Sequence, residues 1–451
     1  MKTDNTELYE SMPIRKAVFK LALPTIVSQL ITVLYNMADT FFIGQMDDPN
    51  QVAAATLAMP AFVMLTGIAN LFGIGGASLI SRYLGKGNKA RAKNCAAFSI
   101  YGAGAVAILY GLLIMVFRPV ILPILGTNAE TYDFCYQYLF WTVTIGAFPT
   151  VMSATLAHLI RSEGYSKQSS IGIATGGILN MILDPIFIFG FNLKIEGAAI
   201  ATMLSNCVAV CYFLIFIYRI RKSSVISPNP KHFTLNYGIP FETLTVGFPS
   251  FMTMAMGIVS NTVLNRLVSS YSSEAIAGMG IAKKIDMLAF AIANGMTQGV
   301  LSLIAYNYAS GNRKRMKDAI KTTFVYTLLL AVLGSVFLFT CAAPVSRFFI
   351  NNKETVEFGQ YFLRVICLTC PTISATFIII TIFQATGRKI QPMILSLIRK
   401  GGFDIPFMFL LNHFFKAYGI AWATPISDIL AMTVAICLFI PFIKKLNKTE
   451  A

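Results

Sequence analysis

Four side chains in the first half of the chain place oxygen donors where the surrounding sequence is apolar. Asp39 closes the stretch Tyr35-Asn36-Met37-Ala38-Asp39, near the outer end of the first apolar run. Asn180 and Asp184 lie in Asn180-Met181-Ile182-Leu183-Asp184-Pro185, and Thr202 ends Glu196-Gly197-Ala198-Ala199-Ile200-Ala201-Thr202. On a helix the i, i+4 spacing of Asn180 and Asp184 puts both on one face. Carboxylate, amide and hydroxyl oxygens are hard ligands, suited to a proton on a buried carboxylate or to a small hard cation such as sodium. A charged side chain at the centre of a bilayer costs about 2.5–3.5 kcal/mol on insertion scales, so an acid there is a functional candidate by default. Blander readings exist. Asp184 would satisfy the helix break before Pro185, Asp39 would be an interface residue beside Asp47 and Asp48, and Thr202 would bond back to its own helix.

Other polar residues are weaker candidates. Asn36, Asn261 and Asp286 are expected as polar residues of a substrate cavity or of the second half. Asp286 follows Lys283 and Lys284, and pairing with them is the simpler expectation. Arg399 and Lys400 are expected at the cytoplasmic start of an apolar segment, and Glu163 in a loop. Pro24 removes a helix hydrogen bond inside an apolar run, which makes either a hinge or a static kink. Cys367 and Cys370 form a C-x-x-C, but with no second pair and no nearby His they read as small core residues.

The elements that must position these residues are membrane spans. Apolar residues make up 56% of the 451, charged residues 12%, and the mean hydropathy is +0.66. A soluble chain carries about twice that charge. Spanning a bilayer takes about 20 predominantly apolar residues. Twelve runs qualify, at about 17–43, 52–81, 95–125, 133–160, 169–191, 196–219, 241–268, 276–308, 319–348, 358–384, 391–412 and 417–442. The sequence thus predicts an all-α integral membrane protein of twelve helices in two pseudo-symmetric bundles.

The duplication is visible as recurring landmarks. Pro24 and Asn36 recur as Pro249 and Asn261, Ile68-Ala69-Asn70 as Ile292-Ala293-Asn294, and Gly87-Asn88 as Gly311-Asn312. Gly197, Ala199, Thr202 and Ser205 recur as Gly419, Ala421, Thr424 and Ser427. In the second copy Leu264 takes the place of Asp39, Asp404 falls near that of Asp184, and Asp428 takes that of Asn206. The expected organisation is an N-lobe at 1–222, a polar cytoplasmic linker at 223–240 and a C-lobe at 241–451. Internal repeats of spans are a recurring feature of transporters.

The net charge of +16 invites a nucleic-acid reading, but its distribution argues against it. In the twelve-span topology 25 of the 36 Lys and Arg fall on one side, and the opposite loops hold Arg118, Lys194, Arg347, Lys353 and Lys416. This asymmetry predicts cytoplasmic termini. The polar arm Met1–Met12 has no cleavable-leader pattern. No Walker loop, H-E-x-x-H or Gly-x-Ser-x-Gly is present, and His158, His232 and His413 are far apart. An enzyme is not expected, nor a cofactor, and any pumping must draw on an ion gradient.

The residues Leu21 to Gly44, the block Asn180 to Gly190, the run Glu196 to Thr202 and the loops at Gly87-Asn88 and Gly311-Asn312 together resemble the multidrug and toxic compound extrusion (MATE) family, with its bacterial MepA-like branch most similar. The resemblance covers nearly the whole chain. It implies export of cationic or amphipathic compounds coupled to protons or sodium, with Asp39, Asn180, Asp184 and Thr202 as the coupling site and Pro24 as the helix 1 hinge. Sodium, if it is the ion, would sit among the same four. The sodium-coupled branch has acids on helices 7 and 10, where this chain has Asn261 and the uncharged run Cys367 to Gln384, which shifts weight to the N-lobe. The resemblance also implies a monomer in a bacterial plasma membrane. The alternatives are a flippase for lipid-linked oligosaccharides, kept in view by Arg266 and Arg364, and export of an endogenous metabolite.

Overall fold

The computed structural model describes residues 4–46, 48–349 and 352–448. Every regular element among them is helical. In chain order these are α1 (Asp4–Glu10), α2 (Ile14–Gly44), α3 (Pro49–Gly85), α4 (Lys89–Val116), α5 (Arg118–Leu125), α6 (Tyr132–Leu139), α7 (Ala147–Ser162), α8 (Ser166–Pro185) and α9 (Lys194–Ile220). The second half follows with α10 (Ile239–Ser269), α11 (Ser273–Ala309), α12 (Arg313–Thr340), α13 (Ala342–Phe349), α14 (Lys353–Cys367), α15 (Cys370–Ala385), α16 (Ile390–Leu397) and α17 (Ile405–Lys448). Wider π-type turns run over Phe140–Ile145, Ile186–Gly190 and Ile398–Asp404.

Nine of these helical stretches are long and apolar enough to cross a bilayer, among the described residues. Two bent pairs, Tyr132–Ile145 with Ala147–Ser162 at 49° and Lys353–Cys367 with Cys370–Ala385 at 43°, bring the number to eleven. The last stretch, Ile390–Leu446, has 57 residues. At 1.5 Å per residue it would run about 85 Å, far more than the roughly 30 Å of hydrocarbon it must cross. It breaks at Lys416, whose backbone is non-helical at φ 53°, ψ −141°, and the break makes two spans of it. Lys194, 222 positions earlier, has the same φ of 53° at the start of α9. With that break, the twelve predicted runs each fall on a span-length helical stretch or bent pair among the described residues. Exposed Leu109, Leu112 and Val116 on α4, and Leu329, Leu333 and Val336 on α12, present the apolar surface that lipid covers.

The duplication is written into element lengths. α2 and α10 each have 31 residues, α3 and α11 each 37, α4 and α12 each 28, α5 and α13 each 8. The repeated Gly-Asn is a helix stop followed by a start. Gly87 and Gly311 take left-handed φ of 72° and 82°. Asn88 and Asn312 then cap the next helix, their side-chain oxygens accepting from Arg91 N at 3.0 Å and Arg315 N at 3.1 Å. The runs expected at 95–125 and 319–348 are each a long helix plus a short one, broken at Phe117 and Cys341. Pro119 and Pro344, which lack the N–H a continuing helix needs, sit in the first turn of α5 and α13.

The chain forms two compact units, one of residues 1–12 with 27–254 and one of residues 13–26 with 255–451. The boundaries fall inside α2, two residues past Pro24, and inside α10, five residues past Pro249. α2 itself runs unbroken through Pro24. Within the first unit α3 meets α10 backbone to backbone, since a Cβ on Gly75 would stand 2.0 Å from Thr243 O and one on Gly247 would stand 1.8 Å from Leu71 O. Within the second unit α11 meets α2 the same way, with Gly295 against Ile26 and Gly299 against Ala22. Small residues let apolar helices approach this closely when no water drives them together.

The polar linker joins the first unit through Glu163. This residue caps α7 from the turn that follows it, a connecting segment as the sequence suggested, and its side chain is buried there. Its carboxylate accepts from Ser224 Oγ and from Val225 N at 2.6 Å. Phe233 stacks on Phe98. These contacts pin the linker's irregular stretch within the first unit.

Candidate functional site

Asp184 occupies the last turn of α8, directly before Pro185 and the π-type turn Ile186–Gly190. The local sequence explains the position. Proline and the wide turn after it end regular i→i−4 bonding, so α8 stops at Pro185 and the carboxylate sits in its last turn. One turn earlier Asn180 donates Nδ2 to Asp184 Oδ1 at 3.1 Å and to Thr202 Oγ1 of α9 at 3.3 Å. The expected shared face is therefore a hydrogen-bonded set across two helices. α8 comes this close to α9 because Gly176 lies against the Ser205 backbone.

Asp39 on α2 joins the same buried region, acting electrostatically on Asp184. Both acids act in turn on Tyr35 and Tyr138. Exposures are 0% for Asp184, 1% for Asn180, 5% for Thr202 and 7% for Asp39. No ion pair among the described residues involves Asp39 or Asp184. Three oxygens have no donor at all: Asp39 Oδ1, Asn180 Oδ1 and Asp184 Oδ2. A native core leaves few such atoms unsatisfied. Two carboxylates, an amide oxygen and a hydroxyl fit a proton or a hard monovalent cation, either of which would offset the cost of two buried negative charges.

The weaker candidates fall elsewhere. Asn36 is half-buried one residue from Tyr35, and Asn261 is exposed on α10. Asp286 does not pair with Lys283 or Lys284. It is half-buried on α11 and, among the described residues, lies within no ion-pair distance, acting on Lys283 only electrostatically. Those pairs involve the residues expected at a helix start. Arg399 and Lys400 lie inside the π-type turn Ile398–Asp404, where Arg399 Nε meets Asp428 Oδ1 at 2.7 Å and Lys400 Nζ meets Asp404 Oδ2 at 2.8 Å. Ser260 Oγ also donates to Asp404 Oδ2, at 2.7 Å. An arginine and a lysine inside an apolar run are affordable only with such partners.

Tyr35 and Tyr138 were not singled out by the sequence. For Tyr35 the signal was present, since it precedes Asp39 by four residues on one helix. For Tyr138 there was none, because its approach depends on how α6 packs.

The MatE family model matches residues 24–186 and 249–410, once in each half of the duplication. The chain is similar to the multidrug export protein MepA of Staphylococcus aureus, 32% identical over 439 residues that cover 97% of this chain and 96% of that one. A similar relative from Staphylococcus saprophyticus is 31% identical over 438 residues. Among solved structures the fold is similar to the Vibrio cholerae MATE transporter VcmN, with a TM-score of 0.89, 21% identity, and coverage of 96% of this chain and 97% of that one. Two matched repeats, a relative matched over nearly its full length and a shared fold agree, and they make this protein a multi-pass membrane transporter that belongs to the MatE family.

Proposed function

We propose that the chain is an antiporter that exports cationic or amphipathic compounds in exchange for a proton or a sodium ion. The observation that carries this reading is the set of donorless oxygens on Asp39, Asn180 and Asp184. Two carboxylates buried among apolar helices repel one another and are poorly solvated, so their charge is tolerable only while a cation is bound. An ion arriving from outside would neutralise them and weaken the hold on a cationic cargo. Release of that ion inward would restore the negative charge and the affinity for the next cargo molecule. In this cycle Asp39 and Asp184 hold the ion, Asn180 and Thr202 orient it, and Pro24 bends α2. Each charge that moves down 100 mV contributes about 2.3 kcal/mol.

The name of the staphylococcal relative supports drug-like cargo. The same reading places the chain as a monomer in a bacterial plasma membrane with both termini cytoplasmic, as six-helix lobes at 1–222 and 241–451 around a linker at 223–240. No nucleic acid and no cofactor enter the scheme. Reconstitution in liposomes tests it, with pH and sodium gradients imposed separately and ethidium as cargo. Wild-type protein is expected to move cargo against one of the two gradients, and Asp184→Asn is expected to abolish that coupling. Gradient-driven transport that survives both Asp184→Asn and Asp39→Asn would remove the proposed site.

A further inference from the structure

The second unit repeats the geometry of this site with one exchange. Asp404 lies 220 positions after Asp184, and Lys400 lies 220 positions after Asn180. Each pair is spaced i, i+4 and precedes a proline, Pro185 directly and Pro406 one residue later. In each the earlier residue donates to the later, Asn180 Nδ2 to Asp184 at 3.1 Å and Lys400 Nζ to Asp404 at 2.8 Å. Both carboxylates are 0% exposed, and each keeps one oxygen without a donor.

The difference is charge. Asn180 is neutral and leaves its carboxylate to be balanced from outside, whereas Lys400 brings its own ammonium. The rest of the second unit agrees with that balance. Leu264 replaces the second acid, Asp39, and Arg399 neutralises Asp428. The other charged groups facing Asp404 are Lys283 and Asp428, with Asp286 facing Lys283. Three cations and three acids thus make the second cluster neutral, while the first holds two acids and, among the described residues, no cationic partner.

We infer that Lys400 is a tethered cation filling the second unit's counterpart of the ion site, which confines ion exchange to the first unit. A lysine four residues from its acid is held at high effective concentration and never diffuses away. Asp404 therefore stays neutralised throughout transport, and the number of ions exchanged per cycle is set by Asp39 and Asp184 alone. Without its ammonium, Asp404 with Ser260 is a latent site for a proton or a sodium ion. The role of Lys400 in stoichiometry rests on the function proposed above, while the latent site is tested separately.

The test counts cations bound per purified full-length chain, protons by difference titration between mild acid and mild alkali, and sodium with radiolabel. Lys400→Gln is expected to gain one proton or one sodium site over wild type, and Lys400→Arg to gain none. The gain should vanish in Lys400→Gln/Asp404→Asn. Lys400→Asn, the first unit's own residue, serves if the Gln variant does not fold. Removing the pair together, as Lys400→Met/Asp404→Leu, should leave the wild-type count unchanged. A folded Lys400→Gln or Lys400→Asn chain with the wild-type count, or a reduced count in Lys400→Met/Asp404→Leu, overturns the inference. An Asp184→Asn chain that keeps the wild-type count would instead sink the proposed coupling site and leave the result at Asp404 standing.

Discussion

The side-chain amide of Asn180 holds Asp184 Oδ1 at 3.1 Å, and the other carboxylate oxygen is left with no donor. One half of the acid is fixed and the other half is free to receive a cation. Removing the acid and removing its holder should therefore have different consequences.

Loss of the charge itself should be severe. Asp184→Asn and Asp39→Asn keep side-chain volume, so each should fold and reach the membrane. Each should lower ethidium efflux from a drug-sensitive host by about tenfold or more, the equivalent of about 1.4 kcal/mol of lost coupling. Efflux at wild-type rates from either variant counts against that acid.

Loss of the holder should be milder. Asn180→Ala removes the bonds to Asp184 and Thr202, each worth about 0.5–1.5 kcal/mol. The expected result is an apparent affinity for the driving ion weaker by about three- to tenfold, with maximal transport largely kept. Thr202→Val should shift the same constant less. Measurement of efflux rate against external pH or sodium separates the two effects.

Backbone contact between helices gives a structural prediction. Gly247 has no room for a Cβ, which would stand 1.8 Å from the Leu71 carbonyl oxygen. Gly247→Val should force α10 off α3 and cost more than the 1–3 kcal/mol typical of overpacking. A fall in the detergent-solubilised melting temperature or a loss of folded protein would show it. Gly257, with open space around it, should accept alanine with little effect.

Glu163 supplies a pH dependence outside the membrane spans. Burial pushes its carboxyl above the usual glutamate range, and the bonds from Ser224 and Val225 with the charge of Lys89 pull partly back. A folded-state value above the unfolded one means that this group's contribution to stability is fully present in acid. It is lost as pH rises from the ordinary glutamate range through the raised value. Wild type should therefore lose more stability across that interval than Glu163→Gln does, as read from melting temperatures at stepped pH. Parallel curves for the two proteins would show that Glu163 does not titrate there.

Much of the architecture was legible because its causes are local in sequence. A bilayer leaves no water for backbone groups, so each crossing must be an apolar run long enough to close its own hydrogen bonds. Such runs can be read one at a time. The helix breaks at Phe117 and Cys341 were missed because apolar composition continues across them, and only backbone bonding stops.

The sequence alone determined the number of spans, the duplication, and the i, i+4 pairing of Asn180 with Asp184, all set by helical period and hydrocarbon thickness. Tertiary structure decided what lies between helices that are distant in sequence. It brought Asp39 and Tyr138 into the neighbourhood of Asp184, matched Arg399 to Asp428, and turned Lys400 from an expected helix start into the buried partner of Asp404. Those outcomes follow from which faces pack together, and the cost of burying an unpaired charge selects among the packings.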